Sequence, residues 1–188
     1  MPVMAPVIIF SDLDGTLLNA PAGPAEAAVD AIGMLAHARI PLVFCSSKTR
    51  AEIQFLQQEL GVNHPFIAEN GGALYIPEGY FDFEVPWGRP SPSGFIVIQY
   101  GRPYHEVVEK LGRAARRARV PVLGFNEMSV EEVAQACALT LLSARLAKLR
   151  EYSEPFRATD TSAASRPRLE HAMLTVGLTF CAGGAFAV

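Results

Sequence analysis

The chain has only three cysteines in its 188 residues, and they lie far apart at Cys45, Cys137 and Cys181. This spacing matches neither a disulfide framework nor the paired ligands of a zinc site. Because all three lie in apolar stretches, we interpret them as buried thiols of a reducing compartment. No convincing targeting signal precedes them, so the sequence predicts a cytoplasmic protein.

The sequence also lacks an excess of positive charge. Its 16 lysines and arginines are outnumbered by 19 acidic residues, which leaves a formal net charge of -3. Proteins that bind phosphate backbones are usually strongly basic, so a nucleic-acid partner is not expected. The uncharged stretch at residues 172–188 is shorter than the about 20 residues of a membrane span and contains three glycines. A membrane partner is therefore not expected either.

Half of the residues are hydrophobic, and in the first part of the chain they form alternating strand and helix signals. Short apolar runs at residues 7–10, 41–45 and 66–68 predict buried strands. Amphipathic stretches between them predict two helices, the second starting with the capping-box spacing of Thr49 and Glu52. This βαβαβ order predicts an α/β fold with a parallel sheet and right-handed crossovers.

A segment rich in proline and glycine, residues 79–94, interrupts this pattern. We place a domain boundary inside it, which predicts one domain over residues 1–85 and a second over residues 86–188. The second domain is expected to open with a strand at residues 95–100, followed by a helix at residues 104–119. It is therefore also predicted to be of the α/β class.

The strongest chemical signal is the sequence SDLDGT at residues 11–16, directly after the first predicted strand. Open α/β sheets bind ligands at this edge, and a turn there can direct both Asp12 and Asp14 toward one site. Two close carboxylates suit phosphoryl transfer, because one can attack phosphorus while the other protonates the leaving oxygen and then activates water. Their mutual repulsion favours a cation such as Mg²⁺. The alternative is a pair of helix-capping aspartates on a surface loop.

The DxDGT pattern at residues 12–16 resembles the signature of the haloacid dehalogenase (HAD) superfamily of phosphatases. The resemblance implies that Asp12 is the nucleophile and Asp14 the general acid and base. It also implies that Mg²⁺ is bound by the Asp12 carboxylate and the Asp14 main-chain carbonyl. Ser46 stands where the superfamily binds the phosphoryl group, unless it merely caps the next helix. Lys48 is expected to add positive charge there, unless it is simply solvated.

Three segments narrow the resemblance: SSKTRAE at residues 46–52, ENGG at residues 69–72 and REYSEPF at residues 150–156. Together they look like the mannosyl-3-phosphoglycerate phosphatase family, whose α/β cap is inserted after the third core strand. By this resemblance Asn70 and Gly71 help to shape the substrate pocket, and Arg150 contacts the substrate from the cap. Asn-Gly is also a common hairpin signal, and both roles can hold at once.

The resemblance implies a HAD-like core with a parallel sheet, present only in part, and an inserted α/β cap. It implies a Mg²⁺-dependent phosphatase that converts mannosyl-3-phosphoglycerate to mannosylglycerate through an aspartyl-phosphate. The alternative is a catalytically weak phosphoester-binding module, or a truncated product that needs a partner, because no GDxxxD-like segment occurs. Without the second half of the core the first strand lies at an edge, which predicts a homo-oligomer formed through that strand.

Overall fold

The computed structural model describes residues 7–19, 23–24, 26–160, 162–183 and 186–188. The chain divides into two compact units, Met1–Tyr100 and Gly101–Val188. The elements of the first unit are β1 (Ile9–Ser11), β2 (Leu18–Asn19), β3 (Gly23–Pro24), α1 (Glu26–His37), β4 (Leu42–Cys45), α2 (Arg50–Leu60), β5 (Phe66–Ala68), β6 (Ala73–Pro77), β7 (Arg89–Ser91) and β8 (Phe95–Gln99). The α/β class predicted from the sequence is confirmed.

The main sheet of the first unit has the strand order β1-β4-β5-β6-β8-β7 among the described residues. β1, β4 and β5 are parallel, as the βαβαβ pattern predicts. β6, β8 and β7 are antiparallel to their neighbours, so the sheet is mixed. The antiparallel half forms without crossover helices: short connections join β5 to β6 and β7 to β8, and residues 78–88 lead from β6 to β7.

The predicted domain boundary after residue 85 does not match the division of the structure, which falls after Tyr100. The sequence places a strand at residues 95–100 at the opening of the second domain, but residues 95–99 form β8 of the first unit and pair with β6 over five residues of each strand. β7 adds to the outer side of β8. The proline- and glycine-rich segment is therefore an excursion of the first unit, because strand pairing depends on distant partners that local composition does not reveal.

Helix α2 begins where the sequence predicted it. The Thr49 hydroxyl accepts a hydrogen bond from the Glu52 N–H (3.1 Å), and the Glu52 carboxylate accepts one from the Thr49 N–H (2.9 Å). The helix ends at Gly61, whose φ of 65° is the left-handed conformation that glycine adopts without strain. Thr49 and Glu52, the two residues that cap the start of α2, are both buried, so this end of the helix is fixed against the sheet.

Strand β1 lies at the edge of the described sheet and pairs only with β4 within it. Val7, Ile8 and Phe10 are each at least half exposed. The edge position that the sequence predicted is confirmed for the described residues. An apolar edge strand of this kind is a template for pairing with another strand.

The second unit is built from a sheet and several helices that pack on one another. Its elements are α3 (Tyr104–Ala118), β9 (Val122–Gly124), α4 (Val130–Cys137), α5 (Leu141–Ala147), β10 (Phe156–Ala158), α6 (Ser165–Thr175), β11 (Ala182–Gly183) and β12 (Phe186–Ala187). Its described sheet has the order β11-β12-β10-β9, and α3 packs against α6 around Leu111, Ala114 and Met173. None of the helices described in either unit is long and apolar enough to cross a bilayer.

Gly124, at the end of β9, has room for no side chain. A Cβ atom there would stand 2.1 Å from a carboxylate oxygen of Glu154 and 2.8 Å from the side-chain oxygen of Asn126. We expect Gly124→Ala to lower the free energy of unfolding of the second unit by about 1–3 kcal/mol, because the carboxylate must leave its place. Chemical denaturation followed by circular dichroism measures this change.

Gly112→Ala is the matched control. This glycine lies inside α3, and an added Cβ would meet only the far end of Arg116 at 3.5 Å. Alanine favours the helix over glycine by up to about 1 kcal/mol, so this variant is expected to be as stable as the natural protein or more so. Equal losses for the two variants would contradict the tight fit described at Gly124.

Candidate active site

The candidate site lies where three parallel strands of the first unit end side by side. Ser11 of β1 is in register with Phe44 of β4, and Cys45 of β4 with Ile67 of β5. The chain therefore leaves the same edge of the sheet three times, in the segments 12–14, 46–48 and 69–71. This is the edge at which open α/β sheets bind ligands.

The segment after β1 turns tightly around the carbonyl of Leu13. That carbonyl accepts hydrogen bonds from the N–H groups of Leu17 and Leu18, while the Leu13 side chain is fully buried. Gly15 has a φ of 74°, which a residue with a side chain rarely adopts, so the turn requires glycine there. The buried leucine anchors the loop while Asp12 and Asp14 on either side of it are exposed.

Asp12 lies next to the end of β4. One of its carboxylate oxygens accepts a hydrogen bond from the Leu13 N–H at 2.7 Å. Burial raises the pKa of the Cys45 thiol, and the negative charge of Asp12 raises it further. The aspartate charge therefore acts on the end of the neighbouring strand, where Ser46 follows.

Ser46 is buried, and its hydroxyl accepts a hydrogen bond from the Lys48 N–H at 3.2 Å. Its own N–H donates to the carbonyl of Ile67, which extends the pairing of β4 and β5 by one residue. Thr49 caps α2, so the alternative role of Ser46 as the helix cap is not observed. The hydroxyl lies in the same loop as Lys48 and is held by it.

Lys48 brings the first two segments together. Its ammonium nitrogen lies 2.9 Å from a carboxylate oxygen of Asp14 and 3.9 Å from one of Glu52. The sequence predicted Lys48 as a phosphate-binding residue, and the structure pairs it with the second aspartate of the motif. Sequence reasoning assigned Glu52 only to the helix cap, although its spacing of four residues from Lys48 was a signal that could have found this second contact.

The third segment braces the second. Glu69 and Asn70 have φ values of 53° and 56°, which are uncommon for residues with side chains. In this conformation the Glu69 N–H donates to the Lys48 carbonyl and the Asn70 N–H to the Ser46 carbonyl, both at 3.0 Å. The predicted hairpin turn is confirmed, because β5 and β6 pair directly on either side of it.

The donor chemistry at this edge suits Mg²⁺ in kind. The Asp12 carboxylate and the Asp14 main-chain carbonyl are hard oxygen donors, and Mg²⁺ usually keeps several waters beside one or two protein ligands. Among the described residues no group of three or more His, Cys, Asp or Glu side chains is arranged to hold a metal ion. Two oxygen donors alone would suit only a magnesium ion that retains most of its water.

Arg150, the predicted substrate contact of the cap, lies in the second unit and is buried. Its guanidinium group donates to the hydroxyl of Ser153 at 2.5 Å. The neighbouring Glu154 is also buried, and its carboxylate accepts hydrogen bonds from the Tyr104 hydroxyl (2.5 Å) and the Asn126 N–H (2.9 Å). The REYSEPF segment therefore connects α3 to the loop after β9.

Burial raises the pKa of Glu154 above its ordinary value, although its hydrogen bonds and the charges of Arg150 and Lys148 oppose the shift. The folded state therefore holds this proton more strongly than the unfolded chain. The resulting stability is fully present below the ordinary pKa near 4.5 and is lost as the pH rises through the raised value.

We expect Glu154→Gln to remove this fall in the free energy of unfolding, measured by denaturation at several pH values. Glu170→Gln, an exposed change in α6, should keep the natural pH dependence, and an unchanged slope in Glu154→Gln would contradict the assignment.

Comparison with known proteins agrees with this geometry. The haloacid dehalogenase-like hydrolase family matches residues 9–81, which include all three loop segments. A glucosyl-3-phosphoglycerate/mannosyl-3-phosphoglycerate phosphatase of Methanococcoides burtonii is 38% identical over 181 residues, covering 95% of this chain and 65% of that protein. A mannosyl-3-phosphoglycerate phosphatase of Pyrococcus furiosus is 37% identical over 147 residues, covering 78% of this chain and 58% of that protein. The chain thus spans somewhat more than half of the length of these relatives.

Solved structures share the fold. A haloacid dehalogenase-like hydrolase from Bacteroides thetaiotaomicron superposes with a TM-score of 0.61 at 18% identity, covering 96% of this chain and 69% of that one. The Thermoplasma acidophilum 0175 protein gives a TM-score of 0.60 at 15% identity, and the match covers 96% of this chain and 62% of that one. At these identities the likeness concerns the fold alone. The motif at the end of β1 agrees with the sequence relatives, with the matched family and with the fold. The chain therefore belongs to the haloacid dehalogenase superfamily.

Proposed function

We propose that this chain acts in the hydrolysis of a sugar phosphoester, with mannosyl-3-phosphoglycerate as substrate and mannosylglycerate as product. The observation that carries the proposal is the placement of two aspartates at one sheet edge. Asp14 is ion-paired to Lys48 there. The negative charge of Asp12 raises the pKa of Cys45, the last residue of β4, and Ser46 follows that strand. The names of the relatives from Methanococcoides burtonii and Pyrococcus furiosus support the substrate class.

In the proposed reaction a carboxylate oxygen of Asp12 attacks phosphorus. The new bond from this oxygen to phosphorus forms as the ester bond breaks, and protonated Asp14 gives its proton to the departing alcohol oxygen. In the second step Asp14 takes a proton from water, whose oxygen attacks the same phosphorus. The bond between Asp12 and phosphorus then breaks, which releases phosphate and restores both aspartates.

Ser46 and the first amides of α2 are proposed to bind the phosphoryl oxygens, since donors at a helix start favour anions. Mg²⁺ is proposed to bind to the Asp12 carboxylate and the Asp14 main-chain carbonyl, where it would offset the negative charge that collects on the phosphoryl oxygens. Asn70 and Gly71 are proposed to border the substrate pocket. Arg150 is proposed to contribute to substrate contact from the cap.

Phosphate release tests the proposal. The chain is incubated with mannosyl-3-phosphoglycerate, with Mg²⁺ or with a chelator, and free phosphate is measured beside binding of the substrate by calorimetry. Release that requires Mg²⁺ supports the proposed reaction. Binding without release favours the alternative function, a phosphoester-binding module. The observation that supports this alternative is that the described residues contain no group of three or more His, Cys, Asp or Glu side chains that could hold a metal ion. If the chain neither binds the substrate nor releases phosphate, both candidate functions are overturned.

We also propose that two copies associate through β1. The exposure of Val7 and Ile8 just before β1 and of Phe10 within it supports this, because β1 has one described neighbour. Light scattering of the chain at increasing concentration is expected to show a dimer or larger species, and Ile8→Lys should shift it toward the monomer. Val29→Lys, at an exposed position of α1, is the control. A monomer at high concentration would contradict the proposal.

The sequence predicted three buried thiols, but Cys45 and Cys137 are only partly buried and Cys181 is exposed. None of the three forms a disulfide. We propose that the protein works in the reducing cytoplasm, where free thiols persist.

A further inference from the structure

The ion pair between Lys48 and Asp14 joins two side chains of unequal freedom. The nitrogen and oxygen atoms are 2.9 Å apart, and 17% of the Lys48 side chain is exposed against 48% of the Asp14 side chain. The lysine is therefore the fixed member of the pair. The aspartate, on the exposed loop after β1, is the member whose direction the pair determines.

Lys48 is held at its backbone and at its ammonium group. Its N–H donates to the Ser46 hydroxyl (3.2 Å), and its carbonyl accepts from the Glu69 N–H (3.0 Å). Its ammonium group lies 3.9 Å from one oxygen of Glu52, whose other oxygen accepts the Thr49 N–H in the buried helix cap. The strand ends of β4 and β5 and the start of α2 thus fix where the positive charge stands.

A proton carrier acts only when its carboxylate lies within hydrogen-bond reach of the atom that it serves. An exposed aspartate on a loop otherwise samples several rotamers, so much of its time would be spent outside that reach. We propose that Lys48 is a positioning residue, which orients the Asp14 carboxylate for proton transfer, and not a ligand of the phosphoryl group. This inference rests on the proposed function, in which Asp14 carries the proton.

Three variants test the role: Lys48→Met, Lys48→Arg and the control Arg39→Met. Arg39 is an exposed cation of the same unit, in the turn that follows α1 and outside the three loop segments of the site. We expect Lys48→Met to lower kcat about tenfold or more on the sugar phosphoester, since a positioned acid and base contributes at least that much. Binding of inorganic phosphate, measured by calorimetry, should change less than about twofold, because the pair does not involve the phosphate. Lys48→Arg should restore most of kcat, and Arg39→Met should leave it unchanged.

Two further comparisons separate orientation of Asp14 from a general structural effect. Nitrophenyl phosphate needs less help from an acid because its alcohol leaves readily, so its hydrolysis should fall less in Lys48→Met than that of the sugar phosphoester. In an Asp14→Asn background Lys48→Met should cause no further loss, because the two changes remove the same contribution. Loss of phosphate binding with an unchanged kcat would make Lys48 a phosphate ligand and overturn the inference.

A readout without turnover keeps the inference distinct from the proposed function. Three-bond NMR couplings of Asp14 report its χ1 rotamer whether or not the chain is active. One rotamer is expected in the natural chain and in Lys48→Arg, and averaging over several in Lys48→Met. Absence of turnover with this pattern would overturn the proposed function alone. Equal averaging in all variants would overturn the positioning role.

Discussion

Asp12→Asn is expected to lower the turnover of mannosyl-3-phosphoglycerate at least about a hundredfold, which corresponds to about 3 kcal/mol of lost transition-state stabilisation. The amide that replaces the carboxylate is a poor nucleophile, so no bond to phosphorus forms and the first step stops. The side chain keeps its size and is exposed, so the fold should be unaffected. Phosphate release under saturating substrate measures the effect.

Asp30→Asn is the matched control, because it makes the same change at an exposed position of α1. It should leave both kcat and KM at the natural values. Asp14→Asn should also lose activity, but for want of the proton carrier. Near-natural turnover in Asp12→Asn would exclude an aspartyl-phosphate on this residue.

Phe66→Ala is expected to lower the free energy of unfolding of the first unit by about 3–5 kcal/mol. Phe66 is fully buried in β5, stacks on Tyr75 of β6 at 5.0 Å between ring centres, and meets Phe95 of β8 edge-on at 5.4 Å. The truncation leaves a cavity among three neighbouring strands. A typical domain has only about 5–15 kcal/mol of stability, so much of it would be lost.

Urea denaturation followed by circular dichroism measures this loss, with Phe83→Ala as the control. Phe83 is 59% exposed and stacks on Phe81, so its truncation should cost about 1 kcal/mol or less. Because the two units can unfold separately, the transition of the first unit must be followed by itself. Equal losses in both variants would contradict the described core.

The sequence by itself determined the features that depend on neighbouring residues. The buried strands around Phe44 and Phe66, the capping box at Thr49 and the acidic turn at Gly15 were all predicted where the structure has them. Each is set by short-range periodicity, by a hydrogen bond across three residues or by the conformational freedom of glycine. The placement of Asp12 and Asp14 at the sheet edge follows from these local signals.

The tertiary structure decided what depends on residues far apart in the chain. β8 joins the first sheet through pairing with β6, so the domain boundary falls later than composition suggested. Lys48 meets Asp14, 34 positions away, because β1 and β4 are in register and bring the two loops together. Local patterns cannot show which strand lies beside which, since register is fixed by packing over the whole sheet. The direction of the Lys48 side chain follows from that packing, because the neighbouring loops bring Asp14 to its ammonium group. This direction distinguishes a residue that orients Asp14 from a phosphate ligand.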